Sequence, residues 1–232
     1  MSRNLNDKSV LAMALLCQSS LEIRRLNSQS VLVLLEQALL LSKEANDHWL
    51  SGIILMEFGL EALNRNAFTS ARSYIEQGLV EVSLSGDKRH KSWGLILICV
   101  IASAEGDAEK VQHFAQEALA CAQEIHDKSN IINCYYALFV AELIRDEYPR
   151  AEQFALEQYR LAQALNDKER ISRSLINLGL LDWAQGNFSR FKERMQEALG
   201  VTKQSHDPLV FADVFIWAGI SSLYKQIGRA HV

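Results

Sequence analysis

The sequence predicts an all-α fold, a right-handed α-solenoid built from antiparallel helical hairpins. Three observations indicate it. An aspartate recurs every 40 residues without slippage, at Asp7, Asp47, Asp87, Asp127, Asp167 and Asp207. A fixed period of this length is typical of repeat architectures. Only two prolines, Pro149 and Pro208, interrupt the 232 residues, as expected where helices predominate. Small residues and turn formers also recur in one phase between the aspartates.

The aspartates define one helical array over residues 1–226, with repeats near 7–46, 47–86, 87–126, 127–166 and 167–206 and a partial repeat over 207–226. Each repeat opens with a first helix. Twelve residues after the aspartate, this helix carries a small residue in four repeats, Ser19, Gly59, Gly179 and Gly219, and Cys99 or Phe139 in the other two. Small residues at this position let the two helices of a hairpin approach closely.

A turn and a second helix complete each repeat. The turn residues are Asn66, Gly106-Asp107, Asp146 and Gly186-Asn187. The second helix begins near an aromatic residue in three repeats (Phe68, Tyr148 and Phe188) and carries small residues at Ala71, Ala151, Gly78, Ala118 and Ala198. At the joint between repeats, Asn46, Gly86 and Asn166 suit a left-handed C-cap. The aspartate that follows suits the N-cap of the next first helix, so we interpret these aspartates as structural.

Composition excludes several classes of protein. With 24 basic and 28 acidic residues the net charge is −4, which argues against a nucleic-acid-binding surface. The four cysteines form no CxxC pair and are expected to be free thiols in a reducing cytoplasm. The N-terminus has no apolar signal region. The apolar run over residues 93–104 is too short to span a bilayer, so no membrane contact is expected.

No catalytic, cofactor-binding or metal site is predicted. The sequence contains no HExxH, P-loop, Gly-rich dinucleotide loop or GxSxG motif, and its histidines are dispersed. Glu142 and Asp182 occupy equivalent positions in neighbouring repeats. We expect a solvated or capping role for them rather than acid–base catalysis, and we expect that the chain is not an enzyme.

The pattern resembles the tetratricopeptide repeat in a 40-residue form. The small–aromatic–alanine–alanine series of that family matches Gly59, Phe68, Ala71 and Gly78. There are departures, because Phe191 replaces a second-helix alanine and the helix-ending proline is missing from every repeat. Among tetratricopeptide proteins, the chain is similar to the repeat region of bacterial MalT/LuxR-type ATP-binding transcription regulators.

This resemblance implies that the first helices line a concave surface. The implied positions are Met56, Leu60, Trp93, Ile96, Val100, Tyr136, Val140, Ile144, Arg173, Ile176, Leu180, Trp183, Ile216 and Ile220. Two interpretations stay open. Tight curvature would bury most of these side chains against neighbouring hairpins, whereas an open groove would bind an apolar or helical segment.

The leading functional hypothesis is a protein- or peptide-binding scaffold, a fragment of a larger bacterial signalling or transcription-regulatory protein, whose partner segment belongs either to another chain or to the same one. The alternative is a small-molecule-sensing receptor, or the regulatory region of an enzyme with its catalytic domain elsewhere. Residues 4–8 resemble the exit from a second helix, so an upstream hairpin is expected. Residues 227–232 replace the turn due there and are interpreted as a non-native tail. Uncovered ends would permit self-association.

Overall fold

The computed structural model describes the backbone of residues 2–24 and 28–203, and the side chains of residues 7–22 and 30–203. Within these ranges it contains ten α-helices: α1 (Ser2–Arg24), α2 (Ser28–Glu44), α3 (His48–Asn64), α4 (Phe68–Ser85), α5 (Lys88–Ala104), α6 (Ala108–Glu124), α7 (Lys128–Ile144), α8 (Tyr148–Ala164), α9 (Lys168–Ala184) and α10 (Phe188–Thr202). Odd-numbered helices are first helices and even-numbered helices are second helices. This arrangement confirms the predicted all-α helical-repeat fold. The partial repeat over 207–226, with Ile216 and Ile220, and residues 227–232 lie outside the described residues.

Four of the periodic aspartates start a first helix as predicted. Each accepts a hydrogen bond from a backbone amide two or three residues later. The pairs are Asp47 with Leu50 (3.0 Å), Asp87 with Arg89 (2.9 Å), Asp127 with Ser129 (3.1 Å) and Asp167 with Arg170 (3.1 Å). These bonds satisfy amides that the first helical turn leaves without an acceptor.

The prediction of a joint at residues 4–8 is wrong. Asp7 lies inside α1, which begins at Ser2, and the preceding residue Asn6 continues the helix. At the true joints the residue before the aspartate is left-handed, with φ of 54° at Asn46, 75° at Gly86, 54° at His126 and 51° at Asn166. Residues 4–8 therefore do not adopt the backbone conformation of the joints that they resemble in sequence.

Left-handed residues also close the turn inside the four hairpins from α3 to α10. Their φ values are 57° at Asn66, 72° at Gly106, 58° at Asp146 and 76° at Gly186. Glycine adopts this conformation without steric cost, and asparagine and aspartate tolerate it better than other residues. The turn formers identified in the sequence therefore occupy the positions that require them.

Small residues on the first helices make room for large ones on the second helices. A Cβ atom added to Gly59 would lie 2.4 Å from Cγ1 of Ile75. A Cβ atom added to Gly179 would lie 2.4 Å from Cε of Met195 and 3.3 Å from Phe191. Phe191, the departure from the expected alanine, therefore fills space that Gly179 leaves open.

The sizes are reversed in the hairpin of α7 and α8. Phe139, at the position equivalent to Gly59, is 2% exposed and clusters with Ala151 and Ala155, both fully buried. A large residue on the first helix is thereby accommodated by small residues on the second helix. Close packing of this kind is required throughout protein interiors.

The described part of the chain divides into two compact blocks, the first ending at Ile131 and the second beginning at Ile132. The first block has apolar clusters between α1, α2 and α3 and around Met56, Ile75 and Ile98. The second block has clusters around Leu175 and Phe191 and around Phe139. None of the described helices combines the length and the apolar character that a membrane span requires.

Candidate functional site

Most of the predicted concave residues that the structure describes keep part of their surface accessible. Val100 and Tyr136 are each 45% exposed, and the Arg173 side chain is 47% exposed. The half-buried members of the set are Leu60, Trp93, Ile96, Val140, Ile144, Leu180 and Trp183. Complete burial against neighbouring hairpins therefore applies to a minority of these positions.

Two members of the set belong to the core. Met56 is fully buried and Ile176 is 6% exposed. A Cβ atom added to Gly78 would lie 2.9 Å from Cγ of Met56, and one added to Gly94 would lie 2.5 Å from its Cε. Met56 thus occupies the space that these two glycines leave, so its side chain is not accessible to a ligand.

A cleft opens on the first helices of the first block. Its volume is about 400 Å³, and its lining includes Ile53 and Glu57 of α3, Arg89, His90 and Trp93 of α5, and Asn130 of α7. One predicted concave residue, Trp93, is thereby brought together with side chains that the resemblance did not indicate. On α5, Ile96 and Val100 continue the helical face of Trp93 at i+3 and i+7.

Asp87 fixes one side of this cleft. Its carboxylate accepts hydrogen bonds from Nε1 of Trp49 (2.5 Å) and from Nδ1 of His90 (2.5 Å). The His90 ring lies edge-on to both Trp49, at 5.8 Å between centroids, and Trp93, at 6.3 Å. Burial raises the pKa of Asp87, but the hydrogen bonds from His90 and Trp49 and the charge of His90 outweigh it and hold that pKa below its ordinary value.

An interlocked group of polar residues joins α5 to α7 at the cleft. Nε of Arg89 lies 3.1 Å from Oδ2 of Asp127, while Oδ1 of Asp127 accepts the Asn130 backbone amide at 3.2 Å. The Asn130 side-chain amide donates to the Arg89 backbone carbonyl at 3.0 Å. The charge of Arg89 is therefore matched inside the cleft, and the start of α7 is attached to the start of α5.

Glu57 differs from the other charged residues of the cleft. It lies in the middle of α3, among side chains that are otherwise buried. Burial raises its pKa, and no other cause contributes. A carboxylate in this position carries a desolvation cost that no neighbouring charge offsets.

In the second block, accessible aromatic residues also lie on first helices. Tyr136 of α7 stacks on Phe139 at 6.2 Å between centroids, and its exposed side remains open. Arg173 of α9 pairs with Glu169 at 3.1 Å, at the start of the same helix. Trp183, near the end of α9, is half-buried.

The expectation that Glu142 and Asp182 are solvated is wrong. Their exposed fractions are 2% and 3%. Asp182 faces the second helix of its own hairpin, where its Oδ2 accepts a hydrogen bond from Nε of Arg194 at 2.6 Å and its Oδ1 lies 3.4 Å from Nε of Arg190. Burial next to two guanidinium groups makes Asp182 a structural ion-pair partner.

Solved structures share this arrangement of hairpins. A signal transduction ATPase with numerous domains (STAND) that has a tetratricopeptide repeat sensor, from Pyrococcus horikoshii, matches with a TM-score of 0.68 and 15% identity over 85% of this chain. NprR in complex with its cognate peptide NprX matches with a TM-score of 0.69 and 17% identity over 94% of this chain. Aspartyl phosphate phosphatase F from Bacillus subtilis matches with a TM-score of 0.66 and 17% identity over 85% of this chain. The fold is that of the tetratricopeptide repeat.

At these identities the likeness shows the tetratricopeptide fold alone. The sequence matches no family model and no curated protein. The chain spans 29% of the STAND protein, 62% of NprR and 53% of the phosphatase. Proteins with this fold therefore carry different activities, and function has to be argued from the side chains on the repeats.

Sequence reasoning did not identify Trp49, Glu57, Arg89 or His90 as site residues. The resemblance directed attention to positions between 6 and 17 residues after the aspartates, whereas Trp49, Arg89 and His90 lie two or three residues after theirs. A signal was present for Glu57, which interrupts the apolar run from Leu50 to Leu60. Among the described residues, no group of three or more His, Cys, Asp or Glu side chains is placed to hold a metal ion.

Proposed function

We propose that this chain is a peptide-binding tetratricopeptide scaffold and forms one segment of a larger bacterial signalling or transcription-regulatory protein. The observation that carries the proposal is the cleft of the first block. It combines the half-buried indole of Trp93 with polar groups at Glu57 and Asn130 on three consecutive first helices. Aromatic anchors beside a few fixed polar groups are typical of peptide-binding surfaces.

The comparisons support this proposal at the level of fold. One neighbour was solved with a peptide bound, and another carries its tetratricopeptide repeats as the sensor of a multidomain ATPase. The second arrangement agrees with the expected resemblance to ATP-binding transcription regulators. In such an arrangement the peptide segment comes either from a separate partner or from another part of the same protein.

A second candidate function is a receptor for a small molecule. The cleft volume of about 400 Å³ falls within the range of roughly 300–1,000 Å³ that is usual for ligand pockets. This reading requires that a compact ligand fill the cleft without contacting the apolar residues Ile96 and Val100 farther along α5. The two functions therefore differ in how much of the α5 surface the ligand covers.

Selection from a random dodecapeptide library displayed on phage tests the proposal. The most enriched peptide is synthesised, and its affinity is measured for the wild-type chain, for Trp93→Ala and for Phe188→Ala. Phe188 is a matched control, because it is an accessible aromatic residue at the start of a second helix, 54% exposed. Truncation of a binding anchor costs about 2 kcal/mol or more, which is roughly a 30-fold loss of affinity.

We expect Trp93→Ala to lose this affinity while Phe188→Ala retains it. Thermal unfolding of each variant shows whether the loss is selective, because Trp93 also contacts the core cluster of the first block. If no peptide is enriched, or if the enriched peptides bind both variants equally, the peptide-binding proposal is contradicted.

A further inference from the structure

Glu57 is not required by the packing of the repeat. It lies ten residues after the aspartate of its repeat, and the equivalent residues are Leu97, Ala137 and Asn177. Leu97 and Ala137 are 5% exposed and contribute to the core. An apolar residue is therefore sufficient for hairpin packing here, and the carboxyl group of Glu57 is an addition specific to one repeat.

The carboxylate of Glu57 has no partner of its own. Among the described residues, no hydrogen bond or ion pair reaches it, and desolvation is the sole cause of its raised pKa. Glu57 is half-buried, and a partly desolvated carboxylate without a partner lowers the stability of the folded chain. Groups that carry such a cost within a cleft are concentrated at functional sites.

The other ionisable side chains that line the cleft already have partners. Arg89 pairs with Asp127 at 3.1 Å, and His90 pairs with Asp87 at 2.5 Å. Both pairs lie at the helix starts, whereas Glu57 lies in the middle of α3. The cleft therefore has one unmatched negative charge, at Glu57.

Two other residues that line the cleft, Trp93 and Ile53, suit the charged group and the methylene stem of a basic side chain. Trp93 provides an indole ring, and a guanidinium or ammonium group placed over an indole face is attracted to it. Ile53 provides an apolar surface, along which the methylene stem of a long basic side chain can lie. An arginine side chain uses both surfaces and also forms bidentate hydrogen bonds to a carboxylate.

We propose that this cleft binds a basic side chain of the peptide ligand, arginine in preference to lysine, with its charged group on the Glu57 carboxylate and beside Trp93. The proposal rests on the peptide-binding function proposed above and specifies its chemistry. Binding supplies the counter-charge that the described residues do not provide to Glu57. The expected ligand therefore carries a positive charge at the residue that enters the cleft.

Two pools of fluorescein-labelled nonapeptides test this assignment. They share eight positions drawn from Ala, Ser, Leu and Thr, and the central residue is arginine in one pool and citrulline in the other. Citrulline keeps the shape of arginine and removes its charge. Fluorescence anisotropy measures the binding of both pools to the wild-type chain, to Glu57→Gln and to Glu76→Gln. Glu76 is the matched control, an exposed glutamate on α4.

We expect the wild-type chain and Glu76→Gln to bind the arginine pool more tightly, by about tenfold or more, because truncation of one member of a buried charge pair has at least this effect. Glu57→Gln is expected to bind both pools equally. The proposal is overturned if the wild-type chain does not discriminate between the pools or if Glu57→Gln keeps the preference for arginine.

The phage selection separates this proposal from the proposed function. Enriched peptides that depend on Trp93 but carry no basic residue would overturn the assignment of Glu57 and leave peptide binding intact. Absence of any enriched peptide would overturn both. If N-acetyl-arginine methylamide competes as effectively as the arginine nonapeptides, the cleft binds a small cation. That result would overturn the proposal that its ligand is a peptide.

Discussion

At the scale of single residues, the periodic aspartates act as N-caps of the first helices. Asp47 accepts the Leu50 amide at 3.0 Å, and its neighbour Asn46 supplies the left-handed residue before it. This role was predictable from the sequence, because an N-cap requires a short polar side chain at one position and little else. The exception at Asp7 was not predictable, since the same residue types are compatible with a continuous helix.

The replacement Asp47→Ala tests the capping role. Removal of an N-cap costs about 1 kcal/mol of stability, and we expect this loss in a urea denaturation experiment. Asp7→Ala is the matched control, because Asp7 is exposed inside α1 and its loss should change stability by less than about 0.5 kcal/mol. Equal effects of the two replacements would contradict the capping role.

For Glu57 we predict the opposite effect on stability, since removal of its charge should stabilise the fold. Burial raises its pKa above the ordinary value of 4.5, so above pH 4.5 the folded chain retains a proton that the unfolded chain releases. The free energy of unfolding therefore falls as the pH rises from 4.5 through the folded-state pKa, and it stays reduced at higher pH. We expect Glu57→Gln to unfold at a higher temperature than the wild type at pH 7, and the difference to vanish below pH 4.5.

The control for this experiment is Glu76→Gln, which removes an exposed carboxylate from α4 and should change the melting temperature little at either pH. A Glu57→Gln chain that is less stable than the wild type at pH 7 would show that the carboxylate is stabilised in the folded state. That outcome would contradict the description of Glu57 as a half-buried carboxylate without a partner.

At the scale of helices, three of the described hairpins close by complementary residue sizes. Gly59 opposes Ile75, Gly179 opposes Met195, and Phe139 clusters with Ala155. The sequence predicted the small residues and their spacing. It did not predict that Phe139 would occupy the same position as a glycine, because the compensating change lies on the second helix, sixteen residues farther along the chain.

Gly59→Ala tests this packing. The added Cβ atom would lie 2.4 Å from Cγ1 of the fully buried Ile75, so we expect a loss of about 1–3 kcal/mol of stability from overpacking. Gly200→Ala is the control, because no atom lies within 4 Å of the added carbon and alanine is favoured over glycine in a helix by about 0.5–1 kcal/mol. Denaturation curves that shift in the same direction for both variants would contradict the packing account.

At the scale of the whole molecule, the fold was predictable because the same sequence pattern recurs in successive repeats. Caps, turns and small residues at Asp87, Gly106 and Ala118 agree with those of the other repeats, so one irregular residue does not obscure the pattern. The cleft was only partly predictable. Trp93 was identified through its repeat position, whereas Trp49 and His90 enter the site through their contacts with Asp87, which no repeat position encodes.

The buried acidic residues show the same limit. Asp182 accepts a hydrogen bond from Nε of Arg194 at 2.6 Å. The repeat pattern places Asp182 on a first helix, but it does not show which helix packs against that face. Its burial depends on an arginine that only the α9–α10 hairpin supplies. Functional and structural features that distinguish repeats are therefore the ones that require three-dimensional contacts to be identified.

The peptide site that we propose lies on the first helices of the first block. Photo-crosslinking tests it most directly: a diazirine group is placed at each position of the phage-selected peptide in turn, and the labelled residues are mapped by mass spectrometry. We expect the labels on α3 and α5, on the accessible faces around Glu57 and Trp93, and their loss in Trp93→Ala. Labels confined to the second helices α2 and α4, or unaffected by Trp93→Ala, would contradict the claim.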